Sequence, residues 1–123
     1  VRGVMNPYNI SDITMAVGCA ALRDQAYLEA HVRDVEEARA YATTELRELG
    51  FKVLDSRTNF IFLEHPYLSG EEYVRELRER GILVRRYPSM KRAENYVRIT
   101  IGTLEEMQAV VAAPRSILLC LAA

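Results

Sequence analysis

The chain has 123 residues, half of them hydrophobic, and a formal net charge of −1 at pH 7. This size is typical of one globular domain that buries about two-thirds of its unfolded surface. The near-neutral charge disfavours a nucleic-acid-binding protein, and no apolar run is long enough to span a membrane. We therefore expect a single cytoplasmic domain over residues 1–123, with a helical lead-in over 1–50 and a mixed α/β part over 51–123.

Several common kinds of site are disfavoured. Cys19 and Cys120 both lie in apolar helical contexts, where a free cysteine acts as a small hydrophobe, so no disulfide scaffold is expected. His31 and His65 lie on different predicted elements without carboxylates at ligand spacing, so no metal site is expected. The sequence has neither a glycine-rich phosphate loop nor a nucleophile elbow. We predict no catalytic residue in this chain.

Two helices are predicted before residue 50. Ser11 can cap the first, which runs to about Leu22 and carries a thin apolar stripe of small residues. The second runs from about Asp24 to Leu49, and Gly50 stands where helices often end in the left-handed conformation. Its predicted apolar stripe consists of Leu28, Val32, Val35, Ala42, Leu46 and Leu49.

Two strands and a helix are predicted next. Residues 51–54 form a short strand, and residues 59–64 form a second strand that is nearly all apolar. Such a run predicts a central strand covered on both faces. Ser69 and Glu72 form a capping box that begins a helix to about Arg80, which Gly81 ends.

Two more strands and a helix complete the chain. The strands are predicted over 82–85 and 96–101, and Gly102 permits a sharp exit because glycine can adopt a positive φ. Thr103 and Glu106 form a capping box before the last helix, which Pro114 should kink or end near Ala112. The order α-α-β-β-α-β-β-α predicts an α+β fold with a small, antiparallel-rich sheet of about four strands.

The candidate binding residues lie on the predicted sheet. Arg98 lies on the polar face of a strand whose alternate residues are apolar, and Arg85 ends the preceding strand. If these strands pair, both guanidinium groups can converge on one carboxylate or phosphate. The alternative is that they form salt bridges with Glu64, Asp55 or Glu94. Asn59 begins an apolar strand, so its amide needs a partner, which is either the backbone of a turn or a ligand.

Positive charge is also concentrated around these arginines. The chain has fourteen arginines but only two lysines, and the segment 85–98 contains Arg85, Arg86, Lys91, Arg92 and Arg98. This local positive field suits a small anion and not a polyanion. For Arg86, Lys91 and Arg92, a solvated loop is an equally good explanation.

Several of these segments, taken together, resemble a known family. They are residues 56–60 (Ser-Arg-Thr-Asn-Phe), 79–85 and 95–106, preceded by 1–3 and 7–11. In this order and spacing they resemble the C-terminal small domain of histidinol-phosphate aminotransferase. That family belongs to the fold-type-I, pyridoxal-phosphate-dependent class I/II aminotransferases. The resemblance covers nearly the whole chain and is more specific for the aminotransferase group than for one substrate.

The resemblance implies a role for each candidate residue. The residue matching Arg98 binds the substrate's carboxylate or phosphate, Arg85 assists it, and Asn59 supports the entrance of the site. The implied reaction transfers an amino group between histidinol phosphate or imidazole acetol phosphate and glutamate or 2-oxoglutarate. The implied partners are the small anionic substrate, a large domain of the same enzyme and, in the intact protein, a second subunit of a homodimer.

One departure from the family pattern is important. The cofactor lysine belongs to a Ser-x-x-Lys-type segment that this chain lacks, and Lys52 and Lys91 do not have that context. We therefore expect pyridoxal 5'-phosphate to be bound by a large domain outside this chain, which begins with Val1, reads as a fragment and is inactive alone. The alternatives are a stand-alone anion- or protein-binding α+β module, an aromatic amino acid aminotransferase, and a threonine-phosphate decarboxylase.

Overall fold

The structure is a computed structural model that describes the backbone of residues 10–121 and the side chains of residues 10–118. The motif segments before residue 10 and the side chain of Cys120 lie outside this part. The chain divides into two compact units, 1–32 and 33–123, and the boundary falls within the second helix. The expectation of one domain over residues 1–123 stays an expectation.

The order of the elements is the predicted one, and the α+β class is confirmed. The helices are α1 (Asp12–Arg23), α2 (Gln25–Glu48), α3 (Gly70–Glu79) and α4 (Leu104–Leu121). The strands are β1 (Lys52–Val53), β2 (Phe60–Glu64), β3 (Arg85–Arg86) and β4 (Val97–Thr100). None of the helices in residues 10–121 is long and apolar enough to cross a membrane.

Helix α1 begins as predicted but buries nothing. The Ser11 hydroxyl caps it by accepting a hydrogen bond from the Thr14 amide at 3.2 Å. No residue of α1 is buried, and Ile13 and Val17 are 78% and 64% exposed. Cys19 is likewise exposed and free.

Helix α2 packs only through its second half. Its buried residues are Ala38, Ala42 and Leu46. The predicted stripe was wrong in the first half, where Leu28 and Val32 are 50% and 46% exposed. The sequence period of a helix marks the face that can be buried, but only a neighbouring element decides how much of that face is covered.

Two glycines end α2 and α3 as predicted. Gly50 has a φ of 87° and Gly81 a φ of 77°. In α3 the Ile82 amide donates to the Leu77 carbonyl at 2.9 Å, and the Gly81 amide donates to the Arg78 carbonyl at 3.0 Å. These two bonds form a Schellman motif. Strand β3 covers only Arg85–Arg86 and not the predicted 82–85, and the first of these bonds explains why residue 82 closes the helix and does not begin the strand.

The sheet has four strands in the order β1-β2-β4-β3, with all neighbours antiparallel. Ile61 pairs with Ile99, and Leu63 pairs with Val97. One face is fully buried and forms the core with the helices through Val53, Ile61, Leu63, Val97, Ile99, Leu46, Tyr73, Leu77, Met107 and Val111. On β2, Phe60 and Phe62 point away from this face and are only partly buried, so the prediction of two covered faces was wrong.

Two predictions at the C-terminal end need correction. Of the two alternatives for Pro114, an end near Ala112 is wrong, because α4 continues through Pro114, whose side chain is almost fully buried, and a kink stays a prediction. Burial of the proline ring offsets the hydrogen bond that proline cannot donate. Gly102 does not have the predicted positive φ. A Cβ at this position would overlap the Glu106 carboxylate, which accepts a bond from the Thr103 amide at 2.8 Å in the predicted capping box.

Candidate anion-binding site

The register of β3 and β4 brings the two candidate arginines together. Arg85 and Arg98 are direct cross-strand partners. Directly opposed residues of an antiparallel pair project their side chains from the same face of the sheet. The strand pairing on which their convergence depends is therefore present, and both arginines lie on the outer face, opposite the core.

Two of the three acidic partners considered for these arginines are engaged elsewhere, and the third, Glu94, forms no ion pair within residues 10–118. Glu64 pairs with Lys52 at 3.0 Å, and Asp55 pairs with Arg47 at 2.7 Å. Among residues 10–118, neither Arg85 nor Arg98 takes part in an ion pair. Like charges directly opposite each other on a sheet destabilise it by roughly 0.2–1 kcal/mol. An anion bound between the two guanidinium groups would remove this cost.

Aromatic rings support both guanidinium groups. The Arg98 Cζ lies 5.4 Å from the centre of the Phe60 ring, and the Arg85 Cζ lies 5.2 Å from the centre of the Tyr87 ring. The Nε atom of Arg98 is buried and has no hydrogen-bond partner within the described chain. Stacking on a ring holds the planar cation in one orientation while leaving its edge available for a ligand.

A cavity of about 430 Å³ lies beside Arg98. Its lining combines aromatic, apolar and polar side chains: Leu54, Asp55, Ser56, Arg57, Thr58, Phe60, Phe62, Tyr87, Met90 and Arg98. This volume and mixture are typical of a small-molecule site, in which apolar walls provide contact area and a few polar groups fix orientation. The cavity suits a small molecule with one anionic end and one ring or apolar end.

Hydrogen bonds from two arginines of α2 hold the polar side of this cavity in place. Arg47 donates to the Val53 carbonyl at 2.9 Å and to the Asp55 carboxylate at 2.7 Å. Arg39 donates to the Thr58 carbonyl at 2.8 Å. These bonds satisfy backbone and carboxylate oxygens that the turn itself leaves open, so the segment 55–58 is held in place from the outside.

The lysine on the outer face does not fit a cofactor-binding role. Lys52 Nζ lies 3.0 Å from a Glu64 oxygen and 5.6 Å from the centre of the Tyr96 ring. The Tyr96 phenol and the Glu64 carboxylate hold the pKa of Lys52 well above its usual range. An amine that forms a Schiff base needs a lowered pKa. Lys91 is exposed in the loop before β4, so neither lysine of this chain fits pyridoxal phosphate.

The remaining predicted residues do not line the cavity. Asn59 is exposed, and its carbonyl accepts a hydrogen bond from the Ile101 amide at 2.8 Å. Arg86 lies on the opposite face of the sheet from Arg85 and donates to Glu71 at 3.0 Å. Lys91 and Arg92 are exposed loop residues that do not line the cavity. Of the predicted positive segment, the structure places only Arg98 in the cavity wall.

Sequence reasoning missed the aromatic wall and Arg57. Phe60 and Phe62 alternate with the core residues of β2, and Tyr87 follows β3 directly. Phe62 stacks on Tyr96 with ring centres 4.8 Å apart. The available signal was the alternation itself, because two aromatic residues at every second position of a strand can line a binding surface as well as a core.

Comparison with known proteins places this arrangement in a family. The family model for aminotransferase class I and II matches residues 1–113. A histidinol-phosphate aminotransferase from Clostridium acetobutylicum is 40% identical over 107 residues, which is 87% of this chain and 30% of that protein. One from Marinomonas sp. is 40% identical over 118 residues, 95% of this chain and 33% of that protein.

Solved structures agree with this placement. The crystal structure of the histidinol-phosphate aminotransferase from Clostridium acetobutylicum matches 94% of this chain and 36% of its own, with a TM-score of 0.82 and 23% identity, which shows the shared fold. A putative aminotransferase from Burkholderia pseudomallei matches 76% of this chain and 28% of its own, with a TM-score of 0.68 and 35% identity. The fold is that of the small domain of fold-type-I aminotransferases. The chain spans about a third of the length of these relatives and belongs to aminotransferase class I and II.

Proposed function

We propose that this chain is the C-terminal part of a pyridoxal-phosphate-dependent histidinol-phosphate aminotransferase. In the intact enzyme an amino group would pass between histidinol phosphate or imidazole acetol phosphate and glutamate or 2-oxoglutarate, as a step of histidine biosynthesis. The names of the relatives at about 40% identity support the substrate. The observation that carries the proposal is the opposed pair Arg85 and Arg98, which has no acidic partner among the described residues.

The arginine pair supplies the binding of the substrate's anionic end. Arg98 holds the anion at the cavity wall, because its ring-supported guanidinium presents several donors in one plane. Arg85 adds a second positive charge from the neighbouring strand. Binding an anion here replaces a repulsion with two attractions. Asn59 stands at the edge of the site, next to the cavity residues Thr58 and Phe60, and supports its entrance.

The remainder of the enzyme supplies what this chain lacks. Neither lysine of this chain fits the cofactor, so we place pyridoxal phosphate and its lysine in a large domain of the same protein. The exposed apolar residues of α1, including Ile13, Val17 and Leu22, support docking of this helix on that large domain. A homodimeric assembly belongs to the same proposal. So does a cytoplasmic location, with which the exposed free thiol of Cys19 agrees.

The test is a kinetic comparison in the full-length enzyme. Arg98→Gln should raise the KM for histidinol phosphate between about 10-fold and 100-fold, because charge-assisted hydrogen bonds contribute about 1.5–3 kcal/mol. The absorbance of bound cofactor should not change. Arg78→Gln removes the same charge from an exposed position of α3 and should leave KM within twofold. An unchanged KM in the Arg98 variant would contradict the assignment.

One other activity has specific support. The structure of L-threonine-O-3-phosphate decarboxylase from Porphyromonas gingivalis matches 70% of this chain and 26% of its own, with a TM-score of 0.59 and 26% identity. A phosphate-recognising decarboxylase would need the same anion-binding face. Release of carbon dioxide from a phosphorylated amino acid, with no amino transfer to 2-oxoglutarate, would favour this second candidate over the first.

A further inference from the structure

We propose that Arg57 is a specificity-determining residue that gives the cavity its preference for a doubly charged phosphate over a carboxylate. This inference rests on the proposed function, because it concerns the anionic end of the same substrate. Arg57 lines the cavity that Arg98 lines, but from the turn between β1 and β2 and not from the sheet. The two arginines therefore line one cavity from different elements, and Arg57 also lines a neighbouring cavity beside Arg39 and Thr43 of α2.

The turn that carries Arg57 is built as a rigid support. The Ser56 hydroxyl donates to the Phe60 carbonyl at 2.6 Å and accepts a hydrogen bond from the Thr58 amide at 3.1 Å. Arg39 holds the Thr58 carbonyl from α2 at 2.8 Å. The residues on both sides of Arg57 are thus fixed, so its backbone position relative to the cavity is defined.

The side chain of Arg57 is left available by its neighbours. Arg57 is exposed, and within residues 10–118 its guanidinium takes part in no ion pair. The carboxylate closest in sequence, Asp55, is held by Arg47 at 2.7 Å. This ion pair also neutralises the one acidic side chain that lines the cavity, and an uncompensated carboxylate there would repel an anion.

The chemistry of the two anions explains the preference. A phosphate monoester carries between 1.5 and 2 negative charges at about pH 7 and has three acceptor oxygens. A carboxylate carries one charge and is satisfied by one bidentate arginine. Arg98 is sufficient for the carboxylate of glutamate, whereas a phosphate leaves acceptors and charge for a second guanidinium. Arg57 can supply that second group from the turn that lines the same cavity, while Arg85 adds charge to both complexes.

The two half-reactions of the holoenzyme provide the test, since one substrate carries a phosphate and the other only carboxylates. In the full-length protein, Arg57→Gln should raise the KM for histidinol phosphate about tenfold, the usual loss for one charge-assisted contact. The KM for glutamate should stay within twofold. Inorganic phosphate serves as a competitive inhibitor, and its inhibition constant should rise by the same factor as the KM for histidinol phosphate. Arg57→Lys keeps the charge and should recover part of the loss, and Arg78→Gln should change none of these constants.

The outcomes separate this inference from the proposed function. Suppose that Arg98→Gln raises the KM for both substrates. If Arg57→Gln then raises neither KM, or raises both equally, the role of Arg57 is overturned and the proposed function stands. If Arg98→Gln changes neither KM, the proposed function itself fails. Because Arg57 is exposed, its substitution should leave the thermal midpoint of unfolding unchanged, and this separates loss of binding from loss of fold.

Discussion

The two faces of the sheet are formed by the same strands but serve different roles, the inner face in stability and the outer face in the candidate binding site. The inner face is uniformly apolar and buried, and Ile61, Leu63 and Ile99 are each at most 2% exposed. The outer face has aromatic and charged side chains that are partly buried, among them Phe62 and Arg98. Alternate residues along one strand therefore serve stability and binding separately.

This separation explains how an unfavourable charge pair is tolerated. The cost of opposing Arg85 and Arg98 is at most about 1 kcal/mol, whereas burial of one large aliphatic side chain contributes about 1.5–3 kcal/mol. A single inner-face residue thus offsets the strain of the outer face. The binding face can be optimised for a ligand because the core behind it provides the stability.

The largest expected effect comes from truncating neighbouring residues of β2 on the two faces. Ile61→Ala should lower the free energy of unfolding by about 2–5 kcal/mol, because it opens a cavity in the core. Phe62→Ala removes a partly buried ring and should cost about 1–2 kcal/mol. Urea denaturation measures both. Equal losses would show that both faces of β2 are covered and would remove the distinction between them.

Local signals made much of this fold predictable from the sequence. The capping residues Ser11, Ser69 and Thr103 and the terminal glycines Gly50 and Gly81 act on atoms within a few residues, so their effect can be recognised without tertiary structure. Positions that depend on a distant neighbour were not predictable. Gly70 is one of these, since a Cβ there would come within 2.5 Å of the Asn95 carbonyl oxygen.

The residues of the candidate site likewise include some that the sequence predicts and some that depend on distant contacts. Arg98 could be identified because it interrupts an apolar alternation within a single strand, and Arg85 because it ends another strand. Phe60 and Phe62 were assigned to a covered face, because an apolar strand gives no sign of which side lacks a covering layer. The cavity position of Arg57 depends on how the turn packs against α2 through Arg39 and Arg47, and these contacts span up to 19 positions in the sequence.

The repulsion on the outer face should be visible as a salt effect. Raising the ionic strength from about 0.01 M to about 1 M shortens the screening length roughly tenfold and weakens the repulsion between Arg85 and Arg98. Salt should therefore stabilise the wild-type chain more than Arg85→Gln, by a few tenths of a kcal/mol. Denaturation curves at the two salt concentrations give this difference.

Two comparisons control the salt experiment. Arg78→Gln, on the exposed side of α3, should respond to salt as the wild-type chain does. Arg98→Gln should respond as Arg85→Gln does, because either substitution removes the same pair. If Arg85→Gln and the wild-type chain show the same salt dependence, the opposed arginines do not repel each other measurably and the outer face is not strained.

The smallest expected effect is on the pH dependence of the free energy of unfolding. Two adjacent residues at the end of β2, Glu64 and His65, should contribute to it separately. Partial burial lowers the pKa of His65 below 6.5, although the Leu49 carbonyl opposes this shift. Partial burial raises the pKa of Glu64, but the Tyr96 phenol and the Lys52 ammonium outweigh it and lower the pKa below 4.5. In both cases the unfolded chain binds the proton more tightly, so the free energy of unfolding decreases as the pH falls.

The two losses occupy different pH windows. The contribution of His65 is complete above about pH 7 and decreases as the pH falls below 6.5, whereas that of Glu64 persists until the pH falls below 4.5. His65→Gln should flatten the stability curve only in the upper window. Lys52→Met should flatten it only in the lower window, because it removes one of the groups that lower the pKa of Glu64. If one variant flattened the stability curve in both pH windows, His65 and Glu64 would titrate as one coupled group. The two faces of the sheet would then not be electrostatically independent.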